Sequence, residues 1–405
     1  MNKYELVCHQ CGHRTDSFKT WFEADQQCPK CGCQRADIHY NADYSQLRQL
    51  FNGTPENFYH YFDFLPISSR QNIVSFGEGA IPIEEWTFLN DYARKEYGVE
   101  CRAMVYRNDL NGGTGTFKDI AASLGASVMK ENGVNAYCVA STGNTATAFA
   151  RYLSKAGIPF TVFVPNDATP DSVEAIRQYG QTVVVSEGGY GQAKKEAADF
   201  HRDNHVLIST GNIDPIRVEA KRTMVFEYLR QLGQMPDVYV QAVAGGTGPI
   251  ALDKGVRELQ QHLGNVKYPR MILAQQDTCD PMVQAWEKAA ANNFPEGYEK
   301  DYPSVTPHTR ISILSAGTPG MYPIVAPLVR QSGGSFVRVK ESELVSQAQW
   351  IKRERNVLLG PASMVCFAGF LEALKQGLIR NGDTVLLNTG EGASRQQWFV
   401  KEVEA

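Results

Sequence analysis

No uninterrupted apolar run in this 405-residue chain approaches the roughly 18 residues that a membrane-crossing helix needs. A membrane-embedded protein is therefore not expected. The N-terminus also lacks the charged-then-apolar layout of a secretory signal, because Cys8 and Cys11 fall where the apolar core would sit. A cytosolic location is the expectation. An excess of one charge is missing as well: the formal net charge is −4, which gives no electrostatic footprint for nucleic acid or an anionic membrane. There is no short-period repeat and no low-complexity linker. Two nucleotide-binding patterns are absent too. The lysine after the first glycine-rich stretch is preceded by Phe117 and followed by Asp119, which breaks the P-loop spacing. The later run Ala244–Gly248 lacks the Gly-x-Gly-x-x-Gly spacing of a dinucleotide site.

What is present is material for two to three domains with a substantial core, at 43% apolar residues and 35 glycines. The nine cysteines are unevenly placed, and five of them (Cys8, Cys11, Cys28, Cys31, Cys33) lie in the first 33 residues. Cys8-x2-Cys11 and Cys28-x2-Cys31, sixteen residues apart, have the spacing of a four-cysteine zinc ribbon, each knuckle turning through a glycine (Gly12, Gly32). A pair of disulfides is the alternative, disfavoured in a reducing cytosol. Cys33 is a spare ligand on this reading, and His9 and His13 are near enough in sequence to compete. The other four cysteines are scattered, as small buried hydrophobes are.

Residues 41–75 are aromatic and irregular, a segment expected to wrap over a later domain. From about residue 102, short β-rich runs alternate with helical periodicity. Strands are expected near 104–106, 136–140, 160–164, 182–185, 206–209, 238–242, 271–274, 335–339 and 384–387. Helices are expected over 145–156, 173–179, 193–202, 217–232, 250–262 and 342–355, and a surface loop over 292–308. Such alternation implies parallel sheets with helices on both faces, whose ligands sit beyond the carboxyl ends of the strands.

Four segments carry chemistry. Lys118 follows Asn111-Gly-Gly-Thr-Gly115 at an expected helix start, where the helix dipole disfavours a cation; a neutral or imine-bound amine fits better. Ser141-Thr-Gly-Asn-Thr145 opens a helix directly after a strand, an arrangement suited to a carboxylate or phosphate, with Asn144 able to donate to a phenolate-like oxygen. Ala244-Gly-Gly-Thr-Gly248 is a nest of backbone amides for a phosphate. In Asn388-Thr-Gly-Glu-Gly392, Thr389 offers a hydroxyl to a ring nitrogen, while Glu391 either carries charge or faces solvent. Each loop alone also reads as an ordinary helix cap or turn. Together they supply what pyridoxal phosphate (PLP) requires.

On these residues the chain resembles the threonine synthase branch of the fold-type II PLP enzymes. Gly77-Glu-Gly-Ala-Ile-Pro82, Gly115-Thr-Phe-Lys118-Asp119, Ser141-Thr-Gly-Asn-Thr-Ala146 and Ser209–Glu219 carry the resemblance, with Gly245–Gly248 and Thr389-Gly390. It implies a tryptophan synthase β-like α/β fold, two doubly wound domains with the cofactor between them, plus the N-terminal zinc ribbon. The expected domains are the ribbon at 1–40, a large PLP-binding domain from 41–101 and 215–405, and a small domain at 102–214. Carried over, Lys118 forms the imine and shuttles the α-proton. Asn144, Gly245, Gly246, Thr247, Gly248 and Thr389 hold the cofactor, and Ser141, Thr142, Gly143 and Thr145 hold the substrate carboxylate. Arg107, Asn212, Arg217 and Arg222 are the contacts expected for a leaving phosphate or other anion. The substrate is a small amino acid, and dimers are the family habit, so a homodimer is expected, with neither nucleic acid nor membrane as partner.

The resemblance implies conversion of O-phosphohomoserine and water to threonine and phosphate. Three departures surround the substrate: Gly112 and Gly113 where the family has proline, Ile120 where it has arginine, and Glu391 where it has histidine. The runs Met235–Gly248 and Leu386–Asn388 are more similar to cysteate synthase, which replaces the phosphate of O-phosphoserine with sulfite. A ribbon-containing binding protein on an inactive enzyme scaffold is the remaining alternative.

Overall fold

The short apolar runs assemble into one all-parallel and one mostly parallel sheet in a computed structural model that describes residues 2–405. The chain divides into two units. One comprises the N-terminal segment through Ala80, Gly112–Thr114 and Lys118–Thr223; the other comprises Ile81–Asn111, Gly115–Phe117 and Met224–Ala405.

In the first unit an antiparallel ribbon places Tyr4–Cys8 between Arg14–Thr15 and Ala36–Tyr40. A four-stranded, all-parallel sheet has the order Thr182–Val185, Phe160–Val164, Tyr137–Ala140, Leu207–Ile208. Tyr137 and Phe160 stack at 5.6 Å between ring centroids on neighbouring strands of it. The helix Asn144–Ala156 is alanine-rich, buries most of its length and ends at Gly157, whose φ of 72° is cheap only for glycine. It meets the helix Lys118–Glu131 closely at Gly125, where a Cβ would lie 2.8 Å from the Phe149 ring.

The segment 41–80 belongs to this unit rather than to the large domain expected for 41–101. The Tyr59 hydroxyl bonds the hydroxyls of Ser123 (3.0 Å) and Ser127 (2.6 Å), and Lys3 Nζ donates to the carbonyls of Phe62 and Ile67. The aromatic run buries Phe58, Tyr59, Tyr61 and Phe64.

In the second unit a six-stranded sheet has the order Ser335–Val339, Arg270–Gln276, Val238–Ala242, Thr384–Asn388, Arg102–Tyr106, Ile83–Glu85. Every neighbouring pair is parallel except the last. Arg102–Tyr106 pairs in register with Thr384–Asn388, so this strand lies outside the small domain expected to begin at 102. An apolar run buried on both faces carries no mark of which sheet it joins. The helix Pro361–Lys375 packs on this sheet, buried nearly all round, with Gly369 allowing Ala274 to approach (a Cβ would sit at 2.7 Å). No helix is long and apolar enough to cross a membrane among the described residues.

Candidate active site

In the first unit, Lys118 begins the helix Lys118–Glu131 behind a tightly pinned loop. The buried Asp119 accepts from the Thr114 amide (2.9 Å) and hydroxyl (2.8 Å) with one carboxylate oxygen. The Tyr152 hydroxyl donates to Glu78 at 2.8 Å, and Arg151 donates to the Gly113 carbonyl. The departure from proline has a steric reason here. A Cβ at Gly112 would lie 2.1 Å from the Phe76 carbonyl oxygen, and one at Gly113 (φ 88°) would lie 2.5 Å from the Tyr152 hydroxyl. Backbone cannot yield as a flexible side chain does. We expect Gly112→Ala to destabilise the protein by about 3 kcal/mol or more, measured by urea unfolding, with an unchanged midpoint counting against the packing described.

Burial, chiefly, together with the positive charge of Arg217 lowers the Lys118 pKa from its usual 10.5 to about 8. The electrostatic misfit of a lysine at a helix start thus takes the form of an amine that releases its proton readily. Arg217 is buried and donates from Nη2 to the Ser209 hydroxyl at 2.6 Å. Its Nε lies 3.5 Å from the Asp214 carboxylate but forms no hydrogen bond among the described residues. Lys118 and Arg217 thus lie within electrostatic reach of each other. The loop Ser141–Thr145 is held by the Gly143 amide on the Ser141 hydroxyl (3.3 Å), and the buried Asn144 starts its helix with no side-chain cap at Gly143. Thr142 and Thr145 are half-buried, as is Asn212 in the turn Gly211–Ile213.

Arg222 stands apart from this cluster. It is fully buried, donates to Glu219 at 2.8 Å and to the Phe64 carbonyl, and lies over the Tyr40 ring. Tyr40 in turn donates to Glu219 at 2.7 Å. Arg222 therefore cross-links the ribbon-proximal segment to the helix Pro215–Leu232, and its charge is already balanced. Lys221 was not among the residues expected from sequence, although it stands between Arg217 and Arg222 on that helix.

In the second unit, Ala244–Gly248 and Asn388–Gly392 leave the carboxyl ends of two paired parallel strands. Gly246, at φ 83°, caps the helix Thr247–Leu263 without a side-chain cap. A Cβ at Gly246 would fall 2.8 Å from Val325, and one at Gly248 only 2.3 Å from the Gln241 amide. Gln241 is fixed there by the Tyr239 hydroxyl at 2.8 Å. Asn388 donates to that same hydroxyl at 2.7 Å, and Asn108 donates to Asn388 and to the Thr389 carbonyl, each at 2.8 Å. The buried Thr389 hydroxyl donates to the Tyr106 carbonyl at 2.7 Å and accepts from the Asn108 amide at 3.3 Å.

Arg107 is engaged by two carboxylates, donating to Asp109 at 2.7 and 2.9 Å and to Glu84 at 2.8 and 2.9 Å. Arg355 adds a second cation at Glu84, 3.2 Å away, which neutralises the group. Arg107 is thus a structural cross-link and has no charge to spare for a ligand. Glu391 is fully buried and faces no solvent: it accepts from the Ala362 amide at the start of the helix Pro361–Lys375, while the Ser363 hydroxyl donates to its carbonyl. A carboxylate suits that positive helix end.

In the ribbon the four expected thiols converge, all within 4.8 Å of one another. Cys8 and Cys31 sulfurs lie 3.5 Å apart, Cys11 and Cys28 sulfurs 3.7 Å. A tetrahedron with Zn–S bonds of about 2.3 Å has edges of about 3.8 Å, so the donor set fits. Cys33 is turned to the Arg35 carbonyl, and His9 and His13 lie outside the four-sulfur group.

The two α/β sheets, the lysine at a helix start and the uncapped glycine nest are those of a fold-type II PLP enzyme. Residues 74–390 match the pyridoxal-phosphate dependent enzyme family, and the chain belongs to it. It is 27% identical to a threonine synthase of Methanocaldococcus jannaschii, over 82% of this chain and 80% of that one. Against a threonine synthase of Methanosarcina acetivorans it is 26% identical, over 95% and 91% of the two chains. Among solved structures, diaminopropionate ammonia lyase of Escherichia coli superposes with a TM-score of 0.64 at 15% identity, covering 89% of this chain and 92% of that one.

Proposed function

We propose that this enzyme eliminates or replaces a phosphate leaving group on an O-phosphorylated amino acid, converting O-phosphohomoserine and water to threonine and phosphate. The observation that carries this reading is the buried guanidinium of Arg217, bonded to the Ser209 hydroxyl but with its Nε unsatisfied among the described residues, within electrostatic reach of Lys118. When bound, PLP supplies an electron sink for the carbanion at Cα. Lys118, Asn144, Gly245–Gly248 and Thr389 would hold it, with the phosphate on the amides of the uncapped helix start. Lys118 moves the proton at Cα, for which an amine of pKa near 8 is well matched to neutral pH. The amides opening the helix Asn144–Ala156 bind the substrate carboxylate, and Arg217 with the Ser209 hydroxyl receives the anionic leaving group. The ribbon cysteines hold one zinc ion in a structural role. A cytosolic homodimer completes this reading.

A second reading, β-replacement of O-phosphoserine by sulfite, is favoured by Glu391, whose burial and capping contact leave no imidazole where the threonine synthases have one. A phosphate-release assay over O-phosphohomoserine, and over O-phosphoserine with and without sulfite, separates the two. Release from O-phosphohomoserine alone, with threonine as product, is expected. Release confined to O-phosphoserine plus sulfite selects the second reading, and no release from any of them by PLP-loaded protein sinks both.

A further inference from the structure

The four-stranded sheet of the first unit changes direction at Tyr137–Ala140. The helix Asn144–Ala156 leads from that strand to Phe160–Val164 on one side, whereas Leu207–Ile208 lies on the other. In such sheets a crevice opens beyond the carboxyl ends of the two strands whose loops part. The ladder records the parting. The Ser209 amide donates to the Cys138 carbonyl at 3.0 Å, but Gly211, next in that series, turns its amide to the Ser209 hydroxyl at 3.3 Å. The Ala140 carbonyl, which the Gly211 amide would have met, therefore has no strand partner and points into the crevice. Tyr190 takes it instead, donating from its hydroxyl at 3.2 Å across 50 positions of sequence.

Tyr190 opens the helix Tyr190–Asn204 and is 49% exposed. The loop before it is fixed, since the Ser186 amide donates to the Val164 carbonyl (2.8 Å) and the Asn166 amide to the Gly188 carbonyl (3.0 Å). A ring so rooted, with its polar tip on a strand end, lies across the crevice mouth. The Lys194 ammonium stands 4.7 Å from the ring centre and adds positive charge at the rim. Beside the Ser209 turn, Arg217 lies 5.0 Å over the Phe149 ring, with its Nε unbonded among the described residues. The Tyr137 ring is 5.7 Å from that same phenyl ring, and its buried hydroxyl also lacks a partner among the described residues. Two buried polar groups left unmade around one ring suit a site that a ligand completes. The charge of Arg217 also reaches the Tyr190 hydroxyl, where it opposes the rise in pKa that burial causes.

We propose that Tyr190 is a specificity-determining residue that binds the phosphate of the substrate beside Arg217 and covers it with its ring. A phosphate oxygen is a stronger acceptor than a carbonyl. Rotation about the phenol C–O bond turns the hydrogen from Ala140 to the anion without moving the ring. The inference rests on the reading of Arg217 and Ser209 as the leaving-group site, and it adds the residue that closes that site.

The test uses the full chain loaded with PLP, so that the glycine nest is occupied, and titrates it with inorganic phosphate in a calorimeter. Tyr190→Phe keeps the cover and removes the hydrogen, and should weaken phosphate about 5- to 10-fold. Tyr190→Ala removes both and should weaken it about 30-fold or more. The KM for the phosphorylated substrate should rise in the same order, with kcat within about threefold and the attachment of PLP at Lys118 unchanged. Arg217→Gln places the phosphate by abolishing its binding. Native affinity in either Tyr190 variant, binding that survives Arg217→Gln, or no phosphate binding by the native protein overturns the proposal. Phosphate binding that weakens in this order, without phosphate release from O-phosphohomoserine or O-phosphoserine, sinks the functional reading alone. Turnover unaffected by either Tyr190 variant sinks this inference alone.

Discussion

Lys118→Ala is expected to give a folded, colourless protein that no longer forms a reducible bond with PLP at its active lysine. Its turnover should fall at least about 10²- to 10⁴-fold, the usual worth of a positioned acid–base group alone. The effect is large because one nitrogen has two tasks, bonding the cofactor and moving the proton at Cα. Both need the neutral amine. With a pKa of about 8, roughly one-tenth of Lys118 is neutral at pH 7, against about one in 3,000 at the usual 10.5. The sign follows directly: in the native protein the attachment rate climbs as pH rises through about 8 and levels above it. A Lys118→Ala protein that keeps its visible absorbance and its turnover, with PLP mapped to another lysine, would refute the assignment.

The α/β architecture was legible wherever a short β-branched run stood between amphipathic helices. Phe160–Val164, Thr182–Val185, Val238–Ala242 and Ser335–Val339 have the boundaries the pattern predicts. The helix Pro361–Lys375 escaped for a physical reason: buried on nearly every side, it has no polar face and so no period to read. Ile83–Glu85 escaped because three residues carry no alternation. The site shows the same division. Lys118 stood out because its backbone position is electrostatically awkward, and that misfit is local to the sequence. The value of an arginine depends instead on which carboxylates fold against it. Arg107 and Arg222 looked equivalent to Arg217, yet Glu84, Asp109 and Glu219 neutralise the first two. Lys221 was passed over because its near-complete burial is set by the fold and not by its sequence neighbours. Its spacing of four from Arg217, in a helix that places alanine, threonine and methionine around it, was the signal available.

Removal of metal from the ribbon is expected to be the other large effect. Residues 4–40 form three short strands and one six-residue helix around Leu6, Phe18, Trp21 and Ile38, too small a core to offset the entropy of ordering them. The knuckles are nevertheless regular. Each closes by matching amide bonds, Gly12 to the Cys8 carbonyl at 3.0 Å and Gly32 to the Cys28 carbonyl at 2.9 Å. Gly12 and Gly32 sit at φ 67° and 73°, where other residues are strained. Four thiolates held this close repel one another, and a divalent cation turns that repulsion into cohesion. The ribbon is also tied to the rest of its unit: Gln26 donates to the Ile208 carbonyl, and the Tyr40–Glu219 bond holds its last strand. Loss of the ion should therefore lower the stability of that unit and not merely fray a tail. Purified protein should carry about one zinc per chain, and Cys28→Ser, or a strong chelator, should remove it. The first thermal transition should then fall by about 10 °C, equivalent to about 3 kcal/mol, and the segment before Asn41 should become the preferred site of proteolysis. Protein without zinc that melts unchanged in chelator, with its thiols oxidised in pairs by intact mass, would establish disulfides in place of the metal.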